Sequence, residues 1–537
     1  HARSRGAVEP GSAMSSLAER DFGARRERPI RRLSAQTRDL AARALSGEHS
    51  RAMKFADFGI APEFYLTLPT PNAQYAEAVR LIAERAPLRV LPGEKIVGAA
   101  TLLEAAHHRV PALPAWPGTS HTTIGFERVL RNGYRGLRAD VRARLQRGGL
   151  DADGRDLLEA MLRCLEAAEV WRQRHVALIE ERLPDAAPQD AAEYRAVLDA
   201  LRRVPEDPPR TFREALQALW FVFGFQRLCG NWSGIGRFDK LLGPWLARDL
   251  AEGRLTLDDA RELVAHFWIK GAEWAGIAFA NGSGDAQFYQ NIVLAGVDEA
   301  GREVENALTH LVLDVVEELR ISDFPIAVRL NVRTSEALLR RVAEVQRLGG
   351  GIVAVYNEER VIENLVRFGY PLEEARDFAN DGCWEVIIPG RTAFSYHPFD
   401  VMLPLQETLG LAPGSPPAEY ADFESLYAAF RARLAKQVTD VVNSGPPALW
   451  NRGTPAPLLS LFVEDCIERG RAYHDGGPRY TVRAPHAGGL PDAANSLLAV
   501  RALVFEQKAA TLAEFALALR NNWEGREDLR RRALALD

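Results

Sequence analysis

Short apolar runs alternate with helical patterns through the middle of this chain. The apolar runs, which predict β-strands, are Ile292–Ala295, Phe324–Leu330 and Ile352–Tyr356. Between them, apolar residues recur at the spacing of helices with one buried face; these residues are Val304, Leu308, Leu311, Val315 and Leu319, then Leu338, Val342, Val345 and Leu348. Strands and helices that alternate in this way form right-handed crossovers and a parallel sheet. The sequence therefore predicts an α/β fold.

Apolar periodicity also organises the N-terminal part of the chain. Residues 124–182 carry apolar positions at helical spacing, which predicts two or three amphipathic helices. We expect residues 14–200 to be mainly helical and residues 14–537 to form one large domain. Residues 1–13 precede Met14 and lack an apolar stretch, so they are expected to be a leader or a disordered tail, not a signal peptide.

The composition argues against several classes of protein. The chain has 47% hydrophobic residues, 26% charged residues and a net charge of -5, so it can bury a core and shows no basic excess for nucleic acid or an anionic membrane. Its longest apolar run, Ala215–Phe225, is too short to cross a bilayer. The four cysteines lie far apart with no CxxC pair, which argues against a metal site and favours a reducing, cytoplasmic location.

A cysteine and a glutamate lie two residues apart in the segment Asp381-Gly382-Cys383-Trp384-Glu385. On a tight loop preceded by glycine, both side chains can point into one cavity. We expect this loop to follow the end of a helix. The pairing suits chemistry in which the Cys383 sulfur removes a hydrogen atom while the Glu385 carboxylate moves a proton. A cysteine among apolar neighbours is more often a small buried hydrophobic residue, but Glu385 is costly to bury there without a partner or a purpose.

This segment resembles the Gly-Cys-x-Glu loop of glycyl radical enzymes, the pyruvate formate-lyase-like superfamily. From about His121 onward, further blocks occur in the order found in that superfamily; they are Thr211–Gln217, Gly236–Asp239, Gly253–Thr256, Trp268–Lys270, Pro455–Gly470, Asp492–Leu497 and Asn522–Glu527. Several motifs in the same order make the resemblance specific.

The resemblance implies a ten-stranded α/β barrel of two parallel five-stranded halves, surrounded by helices, with the cysteine on a finger loop inside. Residues 201–537 would then be the barrel core. It implies a thiyl radical on Cys383 and an acid/base role for Glu385. Formate-lyase chemistry uses adjacent cysteines, whereas Trp384 follows Cys383 here. The function implied is a lyase or dehydratase that cleaves a C–O or another C–X bond of a small polar metabolite.

Substrate-facing residues are assigned from the same resemblance. Six candidates lie in three short segments before and after the cysteine loop; they are His121, Asn231, Trp232, Ser233, Tyr396 and His397. Each could equally be a loop residue or part of the core. Arg237 and Asp239, in the Gly236–Asp239 turn, are expected to form a structural ion pair.

The sequence lacks the Arg-Val-Ser/Ala-Gly-Tyr motif whose glycine carries the stored radical in this superfamily. The radical domain is thus expected to be a separate chain, to have been removed, or to have been lost. We expect no tightly bound cofactor, and a glycyl radical supplied by a domain outside this chain and installed by an S-adenosylmethionine/iron–sulfur activase. The expected partners are a small-molecule substrate, that activase and a separate glycyl-radical-domain protein, with neither nucleic acid nor membrane; a homodimer is left open.

Three other functions stay open at this stage. One is a C–C lyase such as an arylacetate decarboxylase, with Trp384, Trp232 and Phe394 lining an aromatic pocket. Another is a non-catalytic barrel that serves as a scaffold or is a relic. The third is a hydrolase that uses Cys383 as a thiolate nucleophile, with His397 as its base.

Overall fold

The computed structural model describes residues 31–49, 59–99, 119, 121–231, 233–273, 290–321, 324–349, 353–382, 385–412, 418–443 and 453–536. The chain divides into two compact units, His1–Ala393 with Asn451–Tyr480 and Phe394–Trp450 with Thr481–Asp537. The expectation of a single domain over residues 14–537 stays a prediction. Every helix in the described ranges is too short or too polar to cross a bilayer.

Helices make up most of the first unit before its sheet. They are α1 Ala35–Leu45, α2 Pro71–Arg85, α3 Phe126–Gln146, α4 Ala152–Arg182, α5 Pro188–Leu201, α6 Phe212–Leu228, α7 Phe238–Ala251 and α8 Leu257–Gly271. The periodicity over residues 124–182 thus corresponds to α3 and α4, as predicted, with the backbone of α3 interrupted at Gly133. Most of α6 is buried on all sides, which explains why the longest apolar run of the chain lies within it.

Four strands form a parallel sheet in the order β1-β2-β3-β4. They are β1 Gly236–Arg237, β2 Ile292–Ala295, β3 Ile326–Leu330 and β4 Val353–Asn357. The helices α9 Ala307–Leu319 and α10 Glu336–Gln346 connect β2 to β3 and β3 to β4. The predicted α/β alternation is confirmed, because all three predicted strands occur within two residues of their expected bounds.

The two faces of this sheet have different side chains. Ile292, Ile326 and Val328 point to one face and join the main hydrophobic core. Val293 and Ala327 point to the other face, where they pack with Ala379 from a later strand. Tyr356 packs against the same cluster.

The strand that carries Ala379 belongs to a β-hairpin. After α11 Glu358–Arg367 and α12 Leu372–Arg376, the chain forms β5 Ala379–Asp381 and β6 Glu385–Ile387, which pair antiparallel. The cysteine loop therefore lies at the tip of a hairpin. The loop was expected to follow the end of a helix; α12 does precede it and ends at Arg376, with the short strand β5 between them.

The guanidinium of Arg329 holds the base of this hairpin. Its Nη1 donates to the Phe378 carbonyl at 2.9 Å and its Nη2 to the Arg376 carbonyl at 2.7 Å. The same guanidinium lies 3.9 Å from the ring centroid of Phe378 and pairs with buried Glu358 at 2.5 Å. Charge, hydrogen bonds and stacking thus act together at the point where the hairpin leaves the core.

The expected ion pair between Arg237 and Asp239 is wrong. Arg237 lies 3.5 Å from Asp377 and donates to the Ala295 and Val297 carbonyls at 2.9 and 3.0 Å. Asp239 instead accepts from the Ala295 backbone N–H at 2.7 Å and from the Thr309 hydroxyl at 2.6 Å. Although Arg237 and Asp239 are two residues apart in the chain, their side chains bind different partners.

The second unit has its own hydrophobic core, which includes Leu405, Phe430 and Phe515. Its helices are α13 Met402–Thr408, α14 Phe423–Val442, α17 Leu490–Val500, α18 Leu512–Arg520 and α19 Glu527–Leu534. The short helices α15 Pro457–Ser460 and α16 Cys466–Arg469 belong to the first unit. A two-stranded sheet of β7 Thr392–Asp400 and β8 Tyr480–Gly488 lies mostly in the second unit.

We expect Arg329→Met to lower the free energy of unfolding by about 3–5 kcal/mol, because it leaves buried Glu358 without its cation and two carbonyls without their donor. The control is Arg333→Met, in which the lost arginine is 56% exposed and pairs with Glu303 at the surface; it should cost about 1 kcal/mol or less. Urea unfolding followed by tryptophan fluorescence measures both. Equal losses in the two variants would contradict the proposed hold on the hairpin.

Candidate active site

The tip of the hairpin has no room for a side chain at Gly382. The φ angle of Gly382 is +55°, in the left-handed region that favours glycine. A β-carbon there would lie 2.0 Å from Cδ2 of His121 and 2.7 Å from Oε2 of Glu385. Glycine is therefore the residue that lets both side chains reach the turn. Cys383 and Trp384 lie outside the described residues, so the role of Cys383 stays a prediction.

His121 and Glu385 meet at this turn. The distance between Nε2 of His121 and Oε1 of Glu385 is 3.8 Å. The Glu385 side chain is fully buried, whereas His121 keeps 21% of its side chain exposed. Two residues assigned separately from the sequence are thus brought together at the turn.

Backbone hydrogen bonds hold the segment that carries His121. Gly234 donates to the Thr122 carbonyl at 2.7 Å, and Gly390 donates to the Thr123 carbonyl at 2.7 Å. Gly125 in turn donates to the Phe462 carbonyl at 2.8 Å. The His121 segment is therefore fixed to three distant parts of the first unit.

The segment around Asn231 also reaches the hairpin. Asn231 and Ser233 are buried, and Asn231 donates from Nδ2 to Oε1 of Gln226 at 2.9 Å. The next residue, Gly234, donates its N–H to Oδ2 of Asp381 at 3.1 Å. The predicted candidates Asn231 and Ser233 are thus in the neighbourhood of the site, and Trp232 lies outside the described residues.

The remaining two candidates belong to the second unit. The structure gives no description of the Tyr396 side chain. A ring nitrogen of His397, Nε2, lies 2.9 Å from the Ser395 hydroxyl, and burial, with a smaller contribution from Arg483, lowers the pKa of His397. Their assignment to the substrate stays a prediction, as does the pairing of His397 with Cys383.

Several buried polar residues near the turn were missed from the sequence. Asn291 donates from Nδ2 to the Gly382 carbonyl at 3.2 Å. Gln290 and Asn291 come directly before an apolar strand, and Asn380 and Asp381 come directly before Gly382. Polar residues at the edges of buried apolar strands were the available signal. Two residues before His121 in the chain, the Thr119 hydroxyl lies 3.4 Å from Nε2 of buried His474.

Buried polar atoms without hydrogen-bond partners are concentrated around this turn. Among the residues that the structure describes, the atoms in question are Thr123 Oγ1, Ser233 Oγ, Asn291 Oδ1 and both polar side-chain atoms of Gln290 and of Asn380. Such atoms are uncommon in folded proteins, because each one loses its bonds to water without replacement. Their concentration here is typical of a site that binds a polar molecule.

The turn is also a poor environment for a second negative charge. Burial raises the pKa of Asp381 well above its ordinary value, and the neighbouring Glu385 raises it further, while the N–H groups of Gly382, Gly234 and Asn291 act in the opposite direction. Burial, followed by Glu385, also raises the pKa of Tyr356. Two carboxyls and a phenol in one buried region will not all be ionised together.

A charged cavity of about 730 Å³ lies behind the His121 segment, with Thr123 and Gly125 in its wall. Most of its charged side chains pair with one another, as Lys240 does with Asp377 at 2.5 Å and Arg128 with Asp140 at 2.6 Å. Neither Glu385 nor His121 lines it, so this cavity is not the candidate active site. No cluster of metal-ligating side chains occurs in the described part of the chain.

Residues 101–537 match the family described as pyruvate formate lyase-like. The chain is 29% identical over 440 residues to trans-4-hydroxy-L-proline dehydratase from Clostridioides difficile. The match covers 76% of this chain and 55% of that protein. It is 29% identical over 445 residues to (2S)-3-sulfopropanediol dehydratase from Klebsiella oxytoca, with 77% and 53% covered. The chain thus spans about half the length of the curated relatives it matches.

The fold is similar to that of a solved structure from work on 1,2-propanediol dehydration in Roseburia inulinivorans. The TM-score is 0.77 at 24% identity, with 93% of this chain and 74% of that chain covered. At this identity the likeness concerns the fold, and the family match carries the relationship. The chain belongs to the pyruvate formate lyase-like family.

Proposed function

We propose that this chain provides the substrate-binding and hydrogen-abstracting part of a glycyl radical dehydratase. The observation that carries the proposal is the concentration, around the turn of Glu385 and His121, of buried polar atoms that have no hydrogen-bond partner among the described residues. A small metabolite with several hydroxyl groups would satisfy those atoms. The two dehydratase relatives support cleavage of a C–O bond.

The finer architecture is part of this proposal. A ten-stranded barrel of two five-stranded halves would enclose the hairpin tip and keep water away from a radical. The four parallel strands and the hairpin packed on one of their faces support half of such a barrel. In the described ranges, the parallel sheet comprises these four strands.

The proposed chemistry needs one oxidising equivalent. A glycyl radical, installed by an S-adenosylmethionine-dependent activase, would supply it by turning the thiol of Cys383 into a thiyl radical. The Cys383 sulfur then takes a hydrogen atom from a carbon that bears a hydroxyl group, so one C–H bond breaks and one S–H bond forms. At the end of the reaction, Cys383 returns a hydrogen atom to the product radical, and the thiyl radical is regenerated.

Proton transfer is assigned to Glu385 and His121. Glu385, as a carboxylate, takes the proton of the hydroxyl on the radical carbon, and the negative charge so formed expels the hydroxyl of the adjacent carbon. The C–O electron pair leaves with that oxygen. His121, whose Nε2 lies 3.8 Å from Oε1 of Glu385, passes a proton to the departing oxygen, so that water leaves. The proton that Glu385 took then moves to His121, and both residues are restored.

Substrate binding is assigned to the buried polar residues beside the turn. Asn231 and Ser233 lie in the segment fixed to Asp381 through Gly234, and Asn291 is bonded to the Gly382 carbonyl. Amide and hydroxyl groups suit the hydroxyls of a neutral or weakly charged metabolite. Trp232, Tyr396 and His397 complete the set assigned from the family.

The rival functions have less support. A C–C lyase acting on an arylacetate would call for an apolar pocket, whereas the described surroundings of Glu385 and His121 are polar. A scaffold with no chemistry would have no use for so many buried polar atoms without partners. A hydrolase would need His397 beside Cys383, and no described contact supports that arrangement.

A reconstituted enzyme tests this function. The chain would be combined anaerobically with a radical domain and an activase, then given 1,2-propanediol, trans-4-hydroxy-L-proline or (2S)-3-sulfopropanediol. We expect at least one of these three hydroxyl compounds to be dehydrated. Cys383→Ser should abolish turnover, and Glu385→Gln should lower kcat by about 10²–10⁴-fold, as expected for loss of a general base.

Cys466→Ala is the matched control, because Cys466 is buried in α16 and touches none of the site residues named above. It should turn over like the unmodified chain. The EPR doublet of the glycyl radical should persist in Cys383→Ser, which separates a failure of chemistry from a failure of assembly. Turnover by Cys383→Ser, or by this chain alone in air, would contradict the proposal.

A further inference from the structure

Asp381 lies directly opposite Glu385 across the hairpin. The register pairs Asp381 with Glu385 as the last pair before the turn. Opposed residues of an antiparallel pair point to the same face of the ribbon, with their β-carbons about 4.5–5.5 Å apart. Both side chains are buried, and Asp381 is 0% exposed. The turn that carries Cys383 is thus flanked by two buried carboxyls, of which the proposed reaction uses only Glu385.

The Asp381 carboxyl has a defined contact on the opposite side. Its Oδ2 accepts the Gly234 N–H at 3.1 Å. A β-carbon on Gly234 would lie 2.6 Å from Asp381 Oδ1 and 2.7 Å from Thr123 Oγ1. The carboxyl is therefore packed directly against the Gly234 backbone, in a space that a methyl group would fill.

The turn is held from a second direction as well. Asn291, which precedes β2, donates to the carbonyl of Gly382. Asp381 and Asn291 together connect the turn to two segments of the first unit, 231–234 and 290–291. Both segments carry residues to which we assign substrate contacts.

We propose that Asp381 is a positioning residue of this site, whose carboxyl fixes the end of β5, two residues before Cys383, against the Gly234 backbone. Any effect of Asp381 on turnover rests on the function proposed above. The contact itself is a property of the folded chain. It predicts an effect on the thiol that can be measured without substrate, radical or activase.

The protonation of Asp381 follows from its surroundings. Among the described residues, the titratable groups near it include Glu385 across the hairpin, with His121 and Tyr356 beside Glu385. Burial opposes the ionisation of Asp381 and raises its pKa.

Alkylation of Cys383 by iodoacetamide, followed by peptide mass spectrometry, tests the positioning role. Asp381→Ala removes the carboxyl, and we expect alkylation about tenfold faster because the turn opens more often. Asp381→Asn keeps an oxygen that accepts the Gly234 N–H, so its rate should stay within about twofold of the unmodified chain.

Gly234→Ala disturbs the same contact from the backbone side. It replaces Asp381→Ala in the test if that variant does not accumulate as folded protein. Its methyl group should displace the carboxyl and also speed alkylation. Gly243→Ala is the control, because a β-carbon there would lie 2.5 Å from Asn306 Nδ2, an equally crowded contact in α7 that does not involve the hairpin.

Two results would overturn the proposal. One is an alkylation rate in Asp381→Ala and Gly234→Ala no faster than in Gly243→Ala. The other is an Asp381→Asn variant as fast as Asp381→Ala, since a neutral carboxyl acting through its hydrogen bond should be replaceable by an amide. A failure of the reconstituted dehydratase would leave both measurements unaffected, so the two proposals fail separately.

Stability against pH gives a second readout. Because its pKa is raised in the folded protein, Asp381 ionises only in the unfolded chain once the pH exceeds its ordinary value, and this favours unfolding. Asparagine lacks that ionisation. The gain in Tm of Asp381→Asn over the unmodified chain should therefore increase as the pH rises above about 4. A gain that is constant or shrinks as the pH rises would contradict a raised pKa of Asp381 in the folded protein.

Discussion

The side chains of His121 and Glu385 occupy the space that a β-carbon at position 382 would need, and the candidate site depends on that arrangement. His121 and Glu385 approach from different parts of the first unit and meet where any other residue would place a β-carbon. The hairpin can reach this position because the sheet face beneath it carries Val293 and Ala327 and β5 presents Ala379. Small residues at the base and glycine at the tip are one requirement, since a larger residue at either level would push the hairpin off the sheet.

Polar groups at the two ends of the hairpin are satisfied to different degrees. At the base, Arg329 bonds two carbonyls, stacks on Phe378 and pairs with Glu358, so most of its buried polarity has a partner. At the tip, amides and a hydroxyl are buried with atoms that bond to nothing in the described chain. Folding tolerates such atoms only when the rest of the structure holds them in place. The base of the hairpin, where most polar groups have hydrogen-bond partners, provides that rigidity. The tip, where several polar atoms have none in the described chain, can still bind a polar molecule.

Local sequence patterns predicted the elements better than the contacts. Ile292–Ala295 was predicted with its observed bounds because an apolar run between turn signals is a local property. Cys383 and Glu385 were singled out because a thiol and a carboxylate two residues apart are also a local pattern. The contact between Asp381 and Gly234 joins residues 147 positions apart, and that between Asn291 and Gly382 joins residues 91 apart. Periodicity says which face of an element is buried but not which distant segment covers it.

The error at Arg237 has the same origin. Arg237 and Asp239 lie at the junction of β1 and α7, where the change from strand to helix directs neighbouring side chains apart. Each then meets a partner from another crossover, Asp377 for Arg237 and the end of β2 for Asp239. Opposite charges two residues apart would have paired on a regular strand, where positions i and i+2 share a face. At a strand-to-helix junction, the geometry of the turn decides the partner, and sequence spacing does not report it.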